Sequence, residues 1–118
     1  MFGLFSGAGN RANDIKLAVA IELKVSNQKF FYFVLKMAKL KDKKIVELYD
    51  KMREMADSDR HTEKLMALSL AEHLIPECDQ IARIPEMQHD MAVLMRFQDQ
   101  LIDYYNAHCE EGKEFQKS

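Results

Sequence analysis

A chain of 118 residues with 47% hydrophobic content can form one domain and bury a core without metal or disulfide staples. It has two prolines and four glycines, three of the latter within the first nine residues. That leaves a body almost without breakers, which argues against a turn-rich β sandwich and for helices. Net charge is only −2, but residues 1–60 carry 12 Lys/Arg against 8 Asp/Glu and residues 61–118 carry 5 against 11. Such asymmetry can attract a charged partner or orient subunits, although opposite halves can also meet within one fold.

No apolar run approaches the roughly 20 residues needed to cross a bilayer. Cys78 and Cys109 make no disulfide framework and no CxxC motif, which predicts two free thiols in a reducing cytoplasm. Eight methionines fit either an adaptable core or a surface that accepts varied partners.

The opening stretch alternates large apolar residues with glycine. It has no basic n-region and no Gly at position 2, so it reads as neither a secretion signal nor a myristoylation site. It is expected to be a flexible arm over 1–12, with Phe2, Leu4 and Phe5 as interface candidates. Asn13 and Asp14 are the expected cap of a first helix near Ile15. Ile15, Leu17, Val19, Ile21, Leu23 and Val25 then alternate as on a strand. At 100° per residue the same groups spread almost around a cylinder, as in a largely buried helix. A lone hairpin would lack a packing partner, and Ala18, Ala20 and Glu22 favour helix, so the stretch is expected to be helical.

Ser26-Asn27 is a kink, cap or interruption. Past it, Phe30, Phe33, Val34, Met37 and Leu40 form an apolar face, with Tyr32, Lys36, Lys39 and Lys43 on the wetter side. Asp42 is the expected cap of a third helix carrying Ile45, Leu48, Tyr49, Met52, Met55 and Ala56. Ser58 or Asp59 is the expected cap of a fourth, with Leu65, Met66, Leu70, Ala71, Leu74 and Ile75, and with Pro76 as a kink point. The longest stripe comes last. Met87, Met91, Leu94, Leu101 and Tyr105 predict one helix from Pro85 to Glu111, stopped by Gly112. The expected fold is therefore all-α: a four- or five-helix antiparallel bundle over 13–112, with a kink admitted in its first helical unit and a polar tail at 113–118.

Three functional classes follow. The leading one is a small helical adaptor, regulatory or self-association domain, a homodimer among its forms, because amphipathic stripes with Met and aromatic anchors come without an assembled catalytic signature. The second is a metal-assisted oxidoreductase or hydrolase. His73 and Glu77 are one turn apart and His89 follows Glu86 by three, so imidazole and carboxylate could converge on a transition metal. No cofactor is otherwise expected, and a full di-iron pattern would need a second Glu-x-x-His that this chain lacks. The third is a nucleic-acid-binding regulator in which Lys36, Lys39 and Lys43 meet phosphates, with no accompanying recognition motif. His108 reads as a core-edge histidine bonded to a nearby group, and neither cysteine as an activated nucleophile.

Overall fold

A computed structural model describes residues 8–55 and 59–116. The fold is all-α, as the breaker-poor sequence predicts. Five helices, α1 (Ala8–Glu22), α2 (Gln28–Met37), α3 (Asp42–Arg53), α4 (Asp59–Ile81) and α5 (Met91–His108), are joined by short connections, and a 3-10 segment (Pro85–Asp90) precedes α5. No strand occurs among the described residues. The chain divides into two compact units, residues 1–67 and 68–118, with the boundary inside α4.

In the first unit, α1 begins at Ala8, ahead of the expected cap at Asn13-Asp14. Its alternating apolar run resolves into a helical split. Ile15, Val19 and Leu23, four residues apart, are buried together with Ala12 and Ala20, whereas Leu17 and Ile21 point to solvent. The expectation of a largely buried cylinder is corrected accordingly: one arc is covered and the other is not.

α1 and α2 both end in a Schellman motif closed by a lysine. Lys24 (φ 58°) and Lys39 (φ 61°) occupy the left-handed position. Val25 N donates to Ala20 O (3.1 Å) and Lys24 N to Ile21 O (3.0 Å). Leu40 N likewise donates to Leu35 O (3.1 Å) and Lys39 N to Lys36 O (3.0 Å). Ser26-Asn27 is thus an interruption, and Asn27 caps α2 by accepting from Phe30 N at 3.0 Å.

α2 buries Phe31, Val34 and Leu35, a face rotated from the expected Phe30, Phe33, Val34, Met37 stripe. Four consecutive aromatics leave the sequence without a clear arc, so packing decides. Phe30 and Phe33 instead contact each other, with ring centroids 6.2 Å apart. α3 packs mainly on α1. Its N-cap is Lys41, which makes no side-chain cap; Asp42 is the first helical residue and its carboxylate pairs with Lys16 on α1. Only Ile45 of the expected α3 stripe is fully buried; Met55 is exposed and Ala56 lies outside the described residues.

In the second unit, the α4 residues Leu70, Ala71, Leu74, Ile75, Cys78 and Ile81 are buried at helical spacing, and Pro76 sits inside the helix. The predicted single helix from Pro85 to Glu111 is interrupted. Ile84 is extended (ψ 128°), as a residue before proline must usually be. Pro85 then opens the six-residue 3-10 segment, with Met87 N donating to Ile84 O at 2.9 Å. α5 itself ends at His108. Gly112 (φ 90°) lies beyond it, in a turn where Lys113 N reaches Glu110 O at 3.1 Å. α5 buries Leu94, Phe97, Leu101, Ile102 and Tyr105.

Gln98 on α5 donates to Ile75 O (2.8 Å) and Asp79 Oδ1 (3.1 Å), and Tyr105 OH to Glu72 Oε2 (3.3 Å). These tie α5 to the second half of α4.

Candidate functional site

Three surfaces carry side chains that could do more than hold the fold, and two of them lie in the first unit. The first is the outer arc of α1. Leu17 is 41% exposed and Ile21 58%, and their four-residue spacing sets them side by side on one face. The alternating run predicts burial for both residues, as it does for Ile15, Val19 and Leu23. Only the covering of Ile15, Val19 and Leu23 distinguishes the two arcs.

The second surface is an open hollow of about 460 Å³ where α2 turns into α3, lined by Lys39, Leu40, Lys41, Lys43, Lys44 and Glu47. Of the predicted basic residues, Lys39 and Lys43 line it and Lys36 does not, although Lys36 is exposed on α2. Lys41, at the N-cap, and Lys44, in the first turn of α3, lie off the Lys36, Lys39, Lys43 face that helical spacing predicts. The Schellman turn at Lys39 ends α2, and Lys41, Lys43 and Lys44 follow it through the connection and into the first turn of α3. With Asp42 engaged by Lys16, Glu47 is the carboxylate among the lining side chains.

The third surface belongs to the second unit, at the end of α5. Asn106 grips the backbone of Phe115 with both ends of its amide: Nδ2 donates to Phe115 O at 2.9 Å and Oδ1 accepts from Phe115 N at 2.8 Å. The Phe115 ring meets Tyr105 edge-on, with centroids 5.1 Å apart and planes at 74°. The expected polar tail therefore includes an anchored residue. Its only sequence signal is one aromatic in an otherwise polar stretch.

The metal candidates do not assemble. His73 and His89 are exposed and Glu77 is half-buried. Among the described residues no group of three or more His, Cys, Asp or Glu side chains could hold a metal ion. α4 turns Leu70, Leu74 and Cys78 inward, which leaves His73 on the outer arc, and His89, which helical spacing already sets off the apolar stripe, is exposed in the 3-10 segment before α5. His108 makes its expected hydrogen bond, Nδ1 to Tyr104 O at 2.8 Å, but it is exposed, stacked on the Tyr104 ring at 4.3 Å.

Both cysteines are unpaired. Cys78 is fully buried, and its thiol is pushed up to about 12 by burial, with Asp79 and Glu77 adding to the effect; this is the opposite of an activated nucleophile. Burial, reinforced by Glu72, likewise raises the Tyr105 hydroxyl. Phe2, Leu4 and Phe5 lie outside the described residues. No helix among the described residues is long and apolar enough to cross a membrane.

Comparison of the chain with protein-family models, curated proteins and solved structures finds no match in any of the three.

Proposed function

We propose that this chain is a small helical interaction module, an adaptor, regulatory or self-association domain of the cytoplasm, that offers the outer arc of α1 to a protein partner. The observation that carries this reading is the pair Leu17 and Ile21. Two large aliphatic side chains stand adjacent in solvent on a helix whose opposite arc is buried. Scattered single apolar residues on a surface need no explanation, but a pair in register along one helix forms a strip that a second helix can cover. The two unpaired cysteines fit a reducing compartment.

The simplest partner is a second copy, since a strip of this kind can be self-complementary about a two-fold axis. Sedimentation velocity across a concentration series tests it. The expected result is a concentration-dependent dimer that Leu17→Glu with Ile21→Glu abolishes. A monomer at every concentration removes self-association and leaves the adaptor form. The adaptor form in turn fails if the wild-type chain enriches no protein from cell extract over the double variant.

A second reading rests on the lysine hollow. Lys39, Lys41, Lys43 and Lys44 around one concavity suit a phosphate-bearing polymer, whose binding would weaken steeply with salt. Replacing all four by alanine should remove salt-sensitive binding to a single-stranded RNA or DNA probe. Binding that survives the replacement excludes this surface.

A further inference from the structure

The Asn106–Phe115 contact has the chemistry of a peptide-recognition site that is filled by the chain's own tail. An extended residue presents its N–H and C=O on one side, and a primary amide is the side chain that can answer both, donating to one and accepting from the other. Asn106 does this to Phe115 at 2.9 and 2.8 Å. Backbone is being read there, so the amide accepts any residue with an N–H, that is, any but proline. Tyr105 then selects an aromatic, because its ring receives the Phe115 edge at 5.1 Å. Tyr105 is itself held in place, buried and bonded through its hydroxyl to Glu72.

The resident segment is lightly held. Lys113, Glu114 and Gln116 are exposed and Phe115 is only half-buried. The segment leaves α5 through a turn whose Gly112 has φ 90°, with open space around it. Lifting Phe115 out breaks two backbone contacts and one ring contact, and leaves α4 and α5 joined through Gln98 and Tyr105.

We infer that Asn106 and Tyr105 form a binding site for an extended protein segment carrying an aromatic residue flanked by basic ones, and that Phe115 occupies it in cis until such a segment displaces it. The basic flanks are argued from charge. Residues 61–118 carry 11 Asp/Glu against 5 Lys/Arg, and the resident aromatic itself has Lys113 and Lys117 two positions to either side. The inference rests on the interaction-module reading and names what one such partner must present.

The test is a two-dimensional NMR titration of the full chain carrying Phe115→Ala. The probe is a synthetic peptide of this chain's residues 112–118, blocked at both ends. Saturable shifts of the Asn106 side-chain amide and the Tyr105 ring are expected. Wild-type protein should bind the peptide at least about five-fold more weakly, because its own segment competes at millimolar effective concentration. Asn106→Ala in the Phe115→Ala background should abolish the shifts, and Asn106→Asp, which keeps the acceptor and loses the donor, should weaken them. A peptide with alanine in place of its phenylalanine should not bind.

No shift at these two residues with millimolar peptide overturns the inference, as does equal binding to wild-type and Phe115→Ala protein, or binding indifferent to Asn106. A wild-type dimer that Phe115→Ala dissolves would assign the site to a second copy and overturn the partner version. Failure of the α1 reading shows in sedimentation of the Leu17 and Ile21 variants and leaves this titration unchanged.

Discussion

The Arg60 guanidinium lies 2.9 Å from the Glu22 carboxylate; the glutamate side chain is only 7% exposed and the arginine 65%. Glu22 is the last residue of α1, where a negative charge meets the negative end of the helix dipole as well as burial. Arg60, at the start of α4, offsets both. Arg60→Ala should therefore destabilise the fold by about 1–2 kcal/mol, less than for a fully buried pair because the arginine is solvated. Glu22→Gln added to that variant should restore part of the loss. Urea denaturation of the two single variants and the double variant measures the coupling, and an Arg60→Ala midpoint equal to wild type would remove the role assigned to the pair.

Lys24 and Lys39 hold a left-handed backbone conformation that a Cβ disfavours by about 1–2 kcal/mol. Lys24→Gly and Lys39→Gly should each raise stability by about 0.5–1 kcal/mol, since part of the relief is lost to the freer unfolded chain. Lys24→Ala and Lys39→Ala keep the Cβ and should give no such gain. Thermal melts of the four variants separate backbone from charge: equal effects of glycine and alanine would mean that the lysine charges, not the dihedral angles, matter.

Pro76 sits inside α4 and has no N–H for the carbonyl of Glu72. Pro76→Ala should stabilise the chain by about 1–3 kcal/mol, the span set by the helix-propensity difference and its offset in the unfolded state. The alanine amide should also show hydrogen-exchange protection comparable to its neighbours. A destabilised variant would show that the ring's packing outweighs the missing bond.

Cys78 couples stability to alkaline pH. Its folded-state value is raised to about 12, so the folded state holds its proton where the unfolded chain, near 9, releases it. The contribution is complete below about pH 9 and declines as pH rises towards 12, by up to roughly 1.4 kcal/mol per pH unit. Tyr105 is raised too and acts in the same direction, so the quantity to measure is the difference between wild type and Cys78→Ala in urea titrations from pH 8 to 11. Parallel curves would refute the linkage. At pH 8 native Cys78 should also resist alkylation that unfolding permits.

The α1 and α5 stretches show where pattern reading reaches its limit. In α1 the period-two alternation of Ile15 through Val25 is compatible with strand and with helix, and only the propensities of Ala18, Ala20 and Glu22 and the want of a packing partner for a lone hairpin favour helix. Even so, wheel geometry could not say that Ile15, Val19 and Leu23 would be covered and Leu17 and Ile21 left out, because the two arcs are equally apolar. In α5 the stripe was visible but its start was not. Pro85 is compatible with the first turn of an α-helix, but the chain stays in 3-10 geometry through Asp90 and α5 starts only at Met91.

The lysine hollow and the Asn106 clasp were legible only in fragments. Lys39 and Lys43 were picked out by charge and helical spacing, whereas Lys41 and Lys44 join them through a turn whose left-handed residue is a lysine, not the glycine that would have announced it. Asn106 is an ordinary polar residue of a helix until residue 115 returns to it, nine positions later.

Composition and periodicity by themselves determined that this chain is helical and roughly where each helix lies, because breaker scarcity and 3.6-residue spacing act locally and need no partner. Which apolar arc stays in water, which lysines share a hollow and which backbone Asn106 holds were decided by tertiary structure alone. Those depend on what a second element covers, and no residue encodes its own neighbour across a turn.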